Sequence, residues 1–454
     1  MQNNNLDTQI NNYLSKPLKN EDHFYSSKLA ILDTLGCIIE ASTHDEVNNF
    51  AIEDKSFALF SNPFLNVGKL NSYQEVAWYL TVLTRWFDYN DTFLAKEWAH
   101  PSDNFGSVYS YFFANPNFKF IDFTTALTKA YEIQGSLCLG TSLNQLGYDH
   151  VFYVKLASGA VFSSLLSKGN EKIVHRTINH ILLDGPSLRS YRHFPNVGKR
   201  KSWAAADASK RGIELAKISQ LNDEVYSSIQ DDKNWGFEKN YLNDSEIKFG
   251  KELNDWVIQN VLFKVLFPAE FHGQSAVEGA IKLSKEFNQN IDKVKKINIF
   301  THEPAMRIIA NKEILSNASD RDHSLEYMVS AALLFGELKY EMYENDFSGL
   351  NKIESLRKKI VVIEDSNFTN NYYELTKRHI SNSIEIVYDD NSTSEKITIE
   401  NPIGHPSRRE EAIPLLKEKF IRNVQNVLSL EKAMSTWEQV INLEKDDELT
   451  KFFN

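Results

Sequence analysis

The sequence predicts a mainly α-helical protein with a second, α+β domain: a large helical domain carrying a smaller α+β lid. Three observations predict it. Apolar residues recur at helical spacing through roughly the first 265 residues. After Pro268, short β-branched runs replace them. Beyond residue 402 the helical spacing returns. These changes of texture divide the chain into a helical domain (1–268), an α+β lid (269–402) and C-terminal helices that rejoin the helical domain (403–454).

In order, the run 24–42 places Leu29, Leu32, Leu35 and Ile39 at helical spacing. The run 72–87 follows, with Ser72 as N-cap and Glu75 completing a capping box. Further helices are expected over 105–113, 123–146, 151–168, 175–183 and 202–216. Past Pro268, "KKINIFTH" (295–302), "KKIVVIED" (358–365), "SIEIVYDD" (383–390) and "EKITIENP" (395–402) read as strands. The last two flank a polar turn and form a hairpin. Helices over 275–287 and 323–337 lie between the strands, and helical spacing runs from "NPIGHPSRREEAIPLL" to Trp437. Two lobes of this kind leave a cleft, the usual place for a small-molecule site.

Composition narrows the classes. The net charge is −11, which gives no electrostatic case for nucleic acid. No run of 18 apolar residues marks a membrane span. The start, "MQNNNLDTQINNYLSK", lacks the apolar core of a signal peptide, and the first arginine is Arg85; a cytoplasmic protein is expected. The two cysteines, Cys37 and Cys138, sit in apolar helical runs and read as core thiols. Two cysteines are too few for a common iron–sulfur cluster, and no motif has metal-ligand spacing.

Four clusters bear chemistry. "DYNDTFLAKEWAHPSDN" (88–104) holds four carboxylates, a histidine and a lysine. Asp88 ends a predicted helix, and continuing that helix would put Thr92 on the same face. His100 precedes a proline and is expected on extended backbone. Capping of helix 105–113 is the simplest account of Ser102 and Asp103. The segment 189–212 carries seven Lys/Arg and one Asp, so 7 − 1 = +6 within an acidic chain. With Ser202 as N-cap, Lys201 would stand just before a helix N-terminus, where an anion is favoured. "FPAEFHGQSAVEGA" (267–280) offers Glu270 and His272, and "SDRDHSLEYM" (319–328) offers Asp320 or Asp322 as the cap of a helix carrying Tyr327.

Together with "YDHVFYVKLASGA" (148–160) and "NPIGHPSRREEAIPLL" (401–416), these stretches resemble, in order, the MmgE/PrpD family of 2-methylcitrate dehydratases. The resemblance implies elimination of water from 2-methylcitrate without an iron–sulfur cluster, any other cofactor or a metal. It implies Asp88, His100, His150, Lys201 and Tyr327 as catalytic residues, and Thr92, Arg192, Arg211 and His272 as substrate-binding residues. The implied partners are a small tricarboxylate and a second copy of the chain, with neither nucleic acid nor membrane. A sister branch that decarboxylates cis-aconitate carries a lysine and a histidine where this sequence has Val265 and Glu270, which argues for the dehydratase branch.

Overall fold

The computed structural model describes residues 5–19, 21–50, 72–193, 195–221, 224, 226, 228–310, 313–374 and 376–453. It is mainly helical, with one four-stranded sheet. Most helices form where the apolar spacing places them. Asp22–Ala41, Tyr73–Arg85, Phe105–Ala114, Phe120–Gly140, Val151–Leu166 and Glu171–Asp184 follow in order. Ser72 caps Tyr73–Arg85, its hydroxyl accepting from the Glu75 N–H at 3.2 Å.

Helix Arg200–Leu221 begins two residues before the expected cap. Lys201 therefore stands inside its first turn, and Ser202 is not the N-cap. This helix runs beside Val151–Leu166. Val151 and Val154 share an apolar cluster with Ala204, Ala205 and Ala208. Further along, a Cβ on Gly212 would lie 2.6 Å from the Lys155 carbonyl and 3.0 Å from the Gly159 nitrogen. Both contacts follow increasing residue number, so the helices are parallel. Their N-terminal ends, with His150 and Lys201, lie at one end of the pair.

The sheet orders its strands β2–β1–β3–β4, with β1 Val294–Thr301, β2 Ile360–Glu364, β3 Asn382–Tyr388 and β4 Ile397–Ile399. β1 pairs parallel with β2, through a long helical crossover, and antiparallel with β3. β3 and β4 are the antiparallel hairpin read from the sequence. Helix Gln274–Gln289 lies on this hairpin; a Cβ on Gly279 would stand 3.7–3.8 Å from Ile384, Ile397 and Ile399. Helix Leu325–Phe335 is capped by Ser324, whose hydroxyl accepts from the Tyr327 N–H at 3.3 Å. Asp320 and Asp322 do not take that role.

Apolar side chains gather into two main cores. One draws on residues between Leu6 and Val265 and then on Ala412, Leu416, Phe420, Val424, Trp437 and Val440. The other spans Phe267 to Ile386. The two long helices of the returning segment are Arg409–Leu428 and Leu430–Asn442, broken at Ser429 with φ +76°. Cys37 and Cys138 are buried free thiols. Among the described residues no helix is long and apolar enough to cross a membrane. Two cavities open where the cores meet. One of about 390 Å³ is lined by Phe87, Ser202, Asp322 and Tyr343, and one of about 490 Å³ by Tyr89, Pro268, Tyr340 and Arg422.

Candidate active site

The stretch 88–104 is a mostly buried loop that ends in the 3-10 turn Pro101–Asn104. Helix Tyr73–Arg85 stops short of Asp88, which adopts φ +49°. This left-handed conformation is uncommon for a residue other than glycine and persists only when its surroundings enforce it. Asp88 and Thr92 therefore do not share a helix face. Thr92 instead exchanges backbone hydrogen bonds with Leu262, at 2.9 and 2.7 Å. Phe93 and Ala99 do the same at 2.8 and 3.1 Å, folding the chain back so that His100 returns beside Thr92. His100 takes φ −120° and ψ 89°, on the extended side that Pro101 requires.

Asp88 is held from both sides. The Lys264 ammonium, fully buried, donates to its carboxylate Oδ2 at 3.0 Å and to its main-chain carbonyl at 2.5 Å. The Arg85 guanidinium lies 2.9 Å from Oδ1. Burial alone would raise the Asp88 pKa. Lys264 and Arg85 outweigh it and keep the carboxyl ionised, well below its usual range.

His100 has the opposite character. Its Nδ1 lies 2.7 Å from the Asp91 carbonyl, which can only accept, so Nδ1 carries the proton. Nε2 is then a free lone pair, 3.9 Å from Asp88 Oδ1. Burial and the nearby Arg85 push the His100 pKa well below 6.5, and Asp88 only partly offsets them. The imidazole is neutral at physiological pH, with a basic nitrogen next to a permanent anion.

Ser102 and Asp103 do not cap helix Phe105–Ala114, which carries no side-chain cap. Ser102 Oγ donates to Asp91 Oδ1 at 2.6 Å and accepts from Asn90 at 2.7 Å. Asp103 is fully buried and neither carboxyl oxygen has a hydrogen-bond partner; Arg85 Nε stands 3.6 Å away. Burial raises its pKa to about 7. Capping motifs are short-range patterns, and here longer-range burial overrode them.

Beside His100 lies His150, ring centroids 6.2 Å apart. Its Nδ1 is 3.2 Å from Asp149 Oδ1, and burial lowers its pKa to about 3. Arg192 donates to Asp149 at 2.5 Å and outweighs the burial that would otherwise raise that carboxyl. Lys201 completes the cluster from the parallel helix. Its ammonium donates to both carboxylate oxygens of Asp322 at 2.6 Å, and His323 Nδ1 is 3.2 Å away. Asp322 and Tyr343 line the adjoining cavity.

The structure thus brings Asp88, Thr92, His100, His150, Arg192 and Lys201 into one buried region. It does not bring Arg211 there. Ten residues along the helix from Lys201, or about 15 Å, Arg211 pairs with Asp184 and Glu214 at the surface. Tyr327 stands one ring behind Tyr343, 6.0 Å between centroids, and donates its hydroxyl proton to the Met342 carbonyl. His272 is buried on the far side of Glu270, with Nδ1 2.9 Å from that carboxylate and Nε2 3.0 Å from the Tyr372 hydroxyl. The sequence offers no site role for Arg85, Lys264 or Asp149, and only a capping role for Asp322. Lys264 carried a signal: it is the lone charge inside the apolar run "VLFKVLF". Among the described residues no group of three or more His, Cys, Asp and Glu side chains is arranged to hold a metal.

A neutral imidazole, an ionised carboxylate, a buried carboxyl without a hydrogen-bond partner and buried cations at the junction of two cores suit an enzyme that moves protons on an anionic small molecule. The chain belongs to the MmgE/PrpD family: the MmgE/PrpD N-terminal domain matches residues 13–250 and the C-terminal domain residues 267–445. It is 37% identical to the mitochondrial 2-methylcitrate dehydratase of Yarrowia lipolytica, over 93% of this chain and 85% of that protein. Identity to the 2-methylcitrate dehydratase of Escherichia coli K12 is 38%, over 87% of this chain and 84% of the relative. For the Cupriavidus necator 2-methylcitrate dehydratase it is 36%, over 88% and 85%.

Proposed function

We propose that this chain is a hydro-lyase that dehydrates 2-methylcitrate to 2-methyl-cis-aconitate in the methylcitrate cycle of propionate breakdown. One observation carries the reading: a neutral histidine with a free Nε2 sits against a carboxylate that stays charged, in a chain 36–38% identical to proteins named for this reaction.

His100 Nε2 removes the proton from the carbon beside a substrate carboxylate. The C–H electrons form the new double bond, and the C–O bond to the hydroxyl breaks. Asp103 protonates the leaving hydroxyl, so water departs and the double bond remains. The resulting imidazolium is stabilised by Asp88 and the resulting Asp103 carboxylate by Arg85. Solvent resets both groups. A positioned base and acid each supply ~10²–10⁴-fold. The three substrate carboxylates need cations, and in this reading Lys201 and Arg192 supply them. A substrate carboxylate takes the place that Asp322 holds on Lys201 here.

The purified protein is expected to raise ultraviolet absorbance with 2-methylcitrate as the conjugated acid forms. No rise, with or without added iron, rejects the reading; CO₂ release from cis-aconitate would point to the decarboxylase branch instead. The proposal includes a homodimer and a cytoplasmic location.

A further inference from the structure

The loop that presents Asp88 is held from the far end of the chain. Lys419 lies on the buried face of helix Arg409–Leu428, and its ammonium donates to the Tyr89 carbonyl at 2.7 Å and to Asp33 Oδ1 at 2.6 Å. It also sits 3.9 Å from the centroid of the Tyr89 ring. The preceding carbonyl, that of Asp88, ends on the Lys264 ammonium. Two consecutive main-chain carbonyls are thus each held by a buried lysine, at the point where the chain enters its left-handed turn. The Tyr89 hydroxyl tightens the same joint, donating to the Val265 carbonyl at 3.2 Å and accepting from Arg422 at 2.8 Å.

We propose that Lys419, with Asp33 as its counter-ion, is a positioning residue that fixes the Tyr89 peptide and thereby aims the Asp88 carboxylate at His100. Asp33 comes from helix Asp22–Ala41 and Lys419 from the returning helix, so the lysine ties both helices to the loop. Asp88 must keep its distance to Nε2 within a fraction of an ångström for the imidazolium to be stabilised as it forms. The inference rests on the dehydratase reading for its catalytic consequence, but not for its structural one.

The test uses the full chain with Lys419→Met, and with the Asp33→Leu/Lys419→Met double variant, which leaves no unpaired buried charge if the single variant folds poorly. With 2-methylcitrate, kcat is expected to fall ~10–100-fold while KM changes by less than about threefold. Amide hydrogen exchange across 86–93 is expected to rise about tenfold, with helix Phe120–Gly140 as protected as before. Lys419→Arg, which keeps a donor, should recover part of the kcat. A folded double variant with wild-type kcat and unchanged exchange at 86–93 overturns the proposal. Should the wild-type protein not turn over 2-methylcitrate, the dehydratase reading falls by itself and the exchange data alone decide the role of Lys419.

Discussion

His100 and Asp103 lie three residues apart, yet burial acts on them in opposite ways. It removes the proton from the imidazole and leaves one on the carboxyl. That contrast sets the pH dependence. A base must be neutral to act, and His100 stays neutral to well below pH 6.5, so kcat should hold a plateau down through pH 6. An acid must be protonated, and Asp103 loses its proton as pH rises through about 7, so kcat should fall above that value. A pH–rate profile checks both limbs, and Asp103→Asn should remove the alkaline one. A profile that rises from pH 6 to 8 would contradict the assignment. The sequence shows His100 as a candidate because a histidine before proline in a charged stretch is unusual. It hides Asp103, because a serine and aspartate ahead of an apolar run look the same whether they cap a helix or stand beneath an active site.

At the scale of elements, the site depends on two parallel helices and the contact one of them makes across the junction. The Gly159–Gly212 crossing draws the N-terminal ends of Val151–Leu166 and Arg200–Leu221 together. Lys201 then reaches Asp322, in the turn before helix Leu325–Phe335. Removing the lysine leaves that helix intact, since it lies in the first turn and Gly159 and Gly212 hold the crossing. Lys201→Ala should therefore fold normally by circular dichroism and lose at least ~10²-fold in kcat/KM, the scale for deleting one buried stabilising donor. An active Lys201→Ala variant would take this lysine out of the site. Helix positions were legible from spacing, because periodicity records which face is buried. The exact start of Arg200–Leu221 was not, because Arg200, Lys201 and Ser202 are polar and the serine looks the same inside a first turn as at a cap.

For the whole molecule, we read the two cores as a helical domain over 1–268, completed by 403–454, and a lid over 269–402. The C-terminal helices contribute Leu416, Phe420 and Trp437 to the first core and, through Lys419, hold the loop after Asp88. The homodimer expected for this enzyme is checked by light scattering, which should give about twice the 52.2 kDa chain mass; a mass of one chain would reject it. The sequence by itself determined the two textures of the chain and the hairpin of β3 and β4. These follow from local spacing and from residue types that a short window contains. Only the tertiary structure decided the partners: Lys264 on Asp88, Lys201 on Asp322, Lys419 on Asp33, with the Asp103 oxygens left without a hydrogen-bond partner and Arg211 paired with Asp184. Those pairs join residues 176, 121 and 386 positions apart. Charge pairing at such separations leaves no periodic trace, because it is set by which buried groups meet when the cores close.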